Sequence, residues 1–194
     1  AELASVRLSK LEAMRAQTPW NWIMTGSVER DTGGPAATSA YEHAVQLESA
    51  AQSPEDLRVV AALYSEAAAQ GLPQAMFALA RAFDKGRGVP RNLVEAARWY
   101  EVAAERNHAG AMAALGTMYE FGDGVRLDMA EALRLYQGAA QAGDPSGMTS
   151  LAYLYANGKG VARNTKEARR FYDLAASNGH VRAMFNLALM DMRG

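Results

Sequence analysis

Residues 86–107 read Gly86-Arg87-Gly88-Val89-Pro90-Arg91-Asn92-Leu93-Val94-Glu95-Ala96-Ala97-Arg98-Trp99-Tyr100-Glu101-Val102-Ala103-Ala104-Glu105-Arg106-Asn107, and the frame of this stretch returns twice, beginning at Gly122 and at Gly158. The spacing is 36 residues. Gly-x-Gly-Val recurs at 86–89, 122–125 and 158–161, and Tyr64, Tyr100, Tyr136 and Tyr172 keep one phase. So do Met76, Met112, Met148 and Met184, the leucines at 79, 115, 151 and 187, and the alanine pairs beginning at 67, 103, 139 and 175. No insertion breaks the register from about residue 55 onward. A fixed period of this length is the signature of a repeat architecture in which each unit buries its apolar face against its neighbours.

Within one unit two apolar stripes are legible. Met76, Leu79, Ala80 and Phe83 are three and four residues apart, which places them on one face of a helix over roughly 74–84. Ala96, Trp99, Tyr100, Ala103 and Ala104 do the same over roughly 93–106. The Gly-x-Gly loop stops the first helix, because glycine accepts positive φ without steric cost. Asn92 with Glu95, Asp128 with Glu131, and Asn164 with Glu167 predict a variant capping box opening each second helix. Gly71, Asn107, Gly143 and Gly179 then end the second helices. Ala80, Gly116, Ala152 and Ala188 on the first helices, and Ala67, Ala103, Ala139 and Ala175 on the second, are small enough to let the two helices of a hairpin approach closely.

Composition agrees. The chain has 194 residues, 40 of them alanine, and 49% are hydrophobic, so it is neither disordered nor short of core. Cysteine is absent, which removes disulfides, thiolate metal sites and cysteine nucleophiles. Net charge is −1, without the basic excess of a nucleic-acid binder, and no apolar run reaches the ~18 residues of a membrane span. The charge is uneven: residues 157–194 carry +4 and the remainder −5, which reads as a solvated helix face before it reads as an anion-binding surface. The chain opens Ala-Glu-Leu without a charged segment followed by an apolar one, so no intact signal peptide is expected. The compartment is otherwise open, with a periplasmic or secreted address preferred to a cytoplasmic one.

The 36-residue unit, with its paired alanines, terminal glycine and Gly-x-Gly-Val loop, resembles Sel-one-like repeats, relatives of the 34-residue tetratricopeptide repeats. The resemblance implies an all-α fold, a right-handed α-solenoid of helix-turn-helix repeats. It also implies a non-catalytic role in protein–protein contact, as a scaffold or adaptor in a bacterial envelope, secretion, exopolysaccharide or signalling assembly. The expected domains are an N-terminal cap segment over 1–38, with a helix over 1–16 and an irregular stretch over 17–38 that carries Trp20–Trp22, and a solenoid over 39–194. The solenoid divides into a degenerate unit 39–73, units 74–109, 110–145 and 146–181, and a partial unit 182–194 without its second helix. That last helix offers Met184, Leu187 and Ala188 to a neighbour, so the chain is expected either to be a fragment or to associate through 181–194.

Candidate chemistry is sparse. His108 and His180 lie two units apart, on the order of 20 Å, too far to share a metal ion. His43 is isolated. No serine–histidine–acid order, phosphate loop or metal-ligand spacing is present, so no catalytic, metal or cofactor residue is expected. Asp84 and Glu120 fall about 10 Å apart, at the edge of the separation inverting glycosidases use, and support a hydrolase on a small or cell-wall substrate as the alternative. Close to helix C-termini they read as solvated. In the resembling family the first helices line the concave face. The spacing i, i+4, i+8 then selects Phe77, Arg81 and Lys85; Ala113, Thr117 and Phe121; Thr149, Tyr153 and Asn157; and Phe185, Leu189 and Arg193. Of these Phe77, Arg81, Thr117, Phe121, Tyr153, Asn157, Phe185 and Leu189 are the expected contacts for a protein or peptide ligand.

Overall fold

The computed structural model describes residues 34–193. The expected helix over 1–16 and the Trp20–Trp22 segment lie outside the described residues. Among those described are nine helices: α1 (Pro35–Ala50), α2 (Pro54–Ala69), α3 (Pro73–Lys85), α4 (Leu93–Glu105), α5 (Ala109–Phe121), α6 (Met129–Gln141), α7 (Pro145–Asn157), α8 (Thr165–Ser177) and α9 (Val181–Arg193). The chain is an α-solenoid. α3–α4, α5–α6 and α7–α8 are the full hairpins, α1–α2 is the degenerate one, and α9 begins the next. The stretch read as irregular over 17–38 ends sooner than expected, because α1 starts at Pro35. Proline is suited to a first helical turn, where its missing N–H would have had no partner.

Each hairpin is closed by the same bonds. Gly86, Gly122 and Gly158 take the left-handed conformation at the end of the first helix. The N-cap side chains then receive backbone N–H groups of the second helix: Val94 and Glu95 on Asn92, Ala130 and Glu131 on Asp128, Glu167 on Asn164. The reciprocal half of the expected capping box is replaced. The N-cap N–H of Asn92, Asp128 and Asn164 donates instead to the carbonyl of Phe83, Tyr119 and Tyr155 on the preceding helix, each at 2.9 Å. That frees Glu95, Glu131 and Glu167 to pair with Arg98, Arg134 and Arg170 one turn on. The exit is equally regular: the N–H of Leu72, His108, Asp144 and His180 reaches back to Ala67, Ala103, Ala139 and Ala175.

Small residues set the packing. Ala67, Ala103, Ala139 and Ala175 have no solvent exposure, and a Cβ on Gly116 would stand 2.9 Å from the Tyr136 ring. The periodic tyrosines 64, 100, 136 and 172 are all buried among them. Of the helices one unit apart, α5 and α7 pack most closely, which puts these first helices on the inner side of the stack. On α9 the pattern is incomplete: Ala188, equivalent to buried Ala80 and Ala152, is exposed.

Candidate functional site

The inner side carries a depression of about 280 Å³ between α1, α2 and α3. Phe77 and Arg81 line it together with Tyr41, Tyr64, Glu48 and Arg87. The Arg81 guanidinium lies 5.9 Å from the centre of the Phe77 ring. The other expected contacts lie beyond it on α5, α7 and α9. Thr117 is exposed and donates to the Ala113 carbonyl at 3.1 Å, and its oxygen lies 3.1 Å from the Tyr136 hydroxyl. Phe121 is 61% exposed, Tyr153 40% and Phe185 62%. Asn157 donates to the Tyr153 carbonyl, and the Lys159 ammonium sits 5.3 Å from the centre of the Tyr153 ring. Leu189 is half-buried.

The first position of the stripe departs from expectation on α5 and α7. Ala113 and Thr149 are buried. In two units the residue 31 places later, at the start of the next unit's first helix, packs against this position. His108 stacks on Phe77 with ring centres 4.5 Å apart, and His180 Nδ1 lies 2.8 Å from Thr149 Oγ1. Thr149 donates its proton to the Pro145 carbonyl, so His180 Nδ1 is the donor of that bond. These two histidines are therefore built into the joints between repeats. Helical periodicity within a unit does not reveal a contact between units.

His108 also caps α5, its Nδ1 accepting the Ala111 N–H at 3.1 Å, which only an unprotonated Nδ1 can do. Burial pushes its pKa below the ordinary histidine value, which is near 6.5. The folded protein thus binds this proton less readily than the unfolded chain. The stabilisation is in place above about pH 6.5 and is lost as pH falls below it. Thermal melting between pH 7.5 and 5 is expected to show a shallower loss of stability for His108→Asn, which retains a capping oxygen, than for the parent. Identical pH slopes would refute the assignment.

Glu120 corrects a second expectation. Its side chain is only 7% exposed, rather than solvated. It accepts the Tyr136 hydroxyl at 2.9 Å and meets Lys159 Nζ at 3.3 Å. Glu48 repeats the arrangement, with Tyr64 at 2.6 Å and Arg87 at 2.9 Å. Asp84, between them in register, pairs with its neighbour Lys85 at 2.9 Å. Among the described residues no group of three or more histidine or acidic side chains is placed to hold a metal ion, and no helix is long and apolar enough to cross a membrane.

Capped two-helix units in a constant frame, with the variable side chains gathered on the inner helices, define a solenoid repeat protein. The Sel1 repeat family model matches residues 73–108, 109–144 and 145–180, one residue ahead of the frame read from the sequence, and the chain belongs to that family. A protective antigen of uropathogenic Escherichia coli with an SLR fold is 33% identical over 81% of this chain and 34% of its own, with a TM-score of 0.73. A Sel1 repeat protein of Oxalobacter formigenes is 26% identical over 91% of this chain and 70% of its own, with a TM-score of 0.71. An immunity protein of Pseudomonas aeruginosa, 23% identical over 85% of this chain and 61% of its own, shares the fold with a TM-score of 0.60. The chain thus spans about a third of the E. coli antigen. No curated protein matches the sequence. The Sel1 repeat fold is in general a protein-interaction scaffold, typically non-catalytic.

Proposed function

We propose that this chain is a non-catalytic adaptor that holds a protein or peptide along the inner side of its solenoid, within a bacterial envelope, secretion, exopolysaccharide or signalling assembly. Phe77, Arg81, Thr117, Phe121, Tyr153, Asn157, Phe185 and Leu189 are the proposed contacts. The observation that carries the reading is the exposure of Phe121 and Tyr153 on helices whose own packing is already satisfied by buried alanine, leucine and methionine. Large aromatics left in solvent where the framework does not use them are the composition of interface anchors. The hydrolase alternative is less well supported, since Glu120 is buried and already engaged by Tyr136 and Lys159. The self-association expected through α9 belongs to the same reading: Val181, Met184, Phe185 and Met192 give a second copy of the chain an exposed apolar face.

Photo-crosslinkers placed at 121 and 153 in the native cell are expected to capture a partner that a crosslinker at exposed Leu174, on second helix α8, does not. Phe121→Ala and Tyr153→Ala should then weaken that partner's binding by more than about 1 kcal/mol while leaving the melting temperature nearly unchanged. Capture from position 174 alone would move the site to the other side of the solenoid. Loss of folding together with binding would make the two aromatics part of the core.

A further inference from the structure

The depression between α1, α2 and α3 differs in chemistry from the rest of the inner side. Tyr41, Tyr64 and Phe77 give it aromatic walls, and Val45, Val60 and Ala78 add apolar surface. Arg81, Lys85 and Arg87 bring three exposed cations to its lining, and Glu48 brings one carboxylate. Farther along the inner helices the large exposed side chains, Phe121 and Tyr153, are uncharged.

Most of the charge in the depression is engaged within the chain. Glu48 accepts the Tyr64 hydroxyl and pairs with Arg87, in the same acid–tyrosine–cation rung that Glu120 forms with Tyr136 and Lys159. Lys85 pairs with its neighbour Asp84. Arg81 is different, since it makes no ion pair among the described residues. Its guanidinium is nonetheless held at the depression rather than turned away. It lies 5.9 Å from the centre of the Phe77 ring, and its charge opposes the rise that burial causes in the pKa of Tyr64 and of Tyr100. Packing does not ask for a cation here: at the same phase the other units carry Val45, Thr117, Tyr153 and Leu189.

Size and charge together select the occupant. A volume of about 280 Å³ falls just short of the roughly 300–1,000 Å³ of small-ligand sites and suits one projecting side chain. A partner's cation would find Glu48 already taken. A partner's carboxylate would find a guanidinium whose donor fork no carboxylate has filled. We propose that this depression receives an aspartate or glutamate side chain of the protein partner, its carboxylate on Arg81 and its stem against the Tyr41 and Phe77 rings. The proposal rests on the adaptor reading above. It narrows the partner to a segment with an acidic residue in register with α3 and apolar residues farther along, against Phe121 and Tyr153. An extended chain covers one helix spacing, about 10 Å, in three residues.

The test uses the full chain, labelled with nitrogen-15, and the probe acetyl-Phe-Ala-Ala-Glu-Ala-Ala-Phe-amide beside its glutamine counterpart, which keeps the shape and loses the charge. Phenylalanine stands three residues to either side, so the direction of the probe does not decide the outcome. Saturable shifts are expected at the amides of residues 77–87 with the glutamate probe, and the glutamine probe should bind on the order of tenfold more weakly. Arg81→Gln should remove that preference and leave the melting temperature nearly unchanged. Equal affinity for the two probes, no saturable shift at 77–87, or a preference that survives Arg81→Gln would each overturn the proposal. So would the same shifts appearing as the protein alone is concentrated, which would make a second copy the occupant. The probe needs no native partner, so its failure is separable from failure of the crosslinks at 121 and 153.

Discussion

Gly88→Ala is expected to destabilise the solenoid by about 3–5 kcal/mol, against about 1–2 kcal/mol for Gly160→Ala. The two glycines occupy the same place in the Gly-x-Gly loop and share a positive φ, 75° and 67°. The left-handed backbone therefore penalises both substitutions equally, by about 1–2 kcal/mol. The difference between them is space. A Cβ on Gly88 would stand 2.0 Å from the Leu57 carbonyl oxygen and 2.4 Å from its carbon, both backbone atoms in the first turn of α2. A Cβ on Gly160 would meet the Met129 side chain at 3.5 Å, an ordinary contact. Gly124 resembles Gly88, with the Leu93 carbonyl at 2.4 Å. In these two loops the second glycine of the motif is thus the point where one unit's loop rests on the backbone of the unit before it. Urea unfolding of the three alanine variants measures the difference. Equal losses at 88 and 160 would mean that the loop can lift off α2 freely and does not join the units.

Most of the fold was legible because it is local and repeated. The stripe through Met76, Leu79 and Phe83 located α3, and Asn92, Asp128 and Asn164 located the starts of the second helices to the residue. Other features needed contacts that no single helix displays. The reciprocal capping bond fails because the N-cap N–H already has the carbonyl nine residues earlier, a property of the whole hairpin. Thr149 is met by His180, 31 positions later in the next unit, and Glu120 is covered by a lysine 39 positions later. One signal was present and unread. Ser53-Pro54-Glu55-Asp56 forms the complete reciprocal capping box of α2, with Asp56 accepting the Ser53 N–H and Ser53 accepting the Asp56 N–H.

The candidate site was legible to a different degree. Placing Phe121, Tyr153 and Phe185 outside the packing stripe required only the helical period, and all three are exposed. Phe77 is half-covered while Phe185, in the same phase, is open, and the neighbour makes the difference. His108 stacks on the first and covers part of its ring. Exposure at one phase of the repeat is set by the next unit as much as by the residue itself. Comparing the variable positions across units, at separations of 31 and 39 as well as 36, would have exposed both the histidine joints and the acid–tyrosine–cation rungs.

Ala139→Leu is expected to destabilise the stack by about 1–3 kcal/mol through overpacking. Ala139 has no solvent exposure, and its Cβ lies only 2.4 Å from where a Cβ on Gly147 would be. Gly147, in the first turn of α7, therefore has no room for a side chain, because the Ala139 methyl fills that space from α6. A leucine would push three further carbons into a site where one methyl already displaces a side chain. Relief would require α6 and α7 to separate, and with them the hairpins α5–α6 and α7–α8. Thermal melting beside Leu174→Ala, at a half-exposed position on the second helix α8, separates the effect from a general intolerance of substitution: the surface change should cost less than about 1 kcal/mol. Gly147→Ala approaches the same contact from the other side and should destabilise as well. Combined with Ala139→Gly it should recover part of that loss, because the clash between the two methyl groups is then absent and the remaining cost is the weak helix propensity of glycine, about 1 kcal/mol. Strict additivity of the two changes would show that α6 and α7 do not meet at this pair.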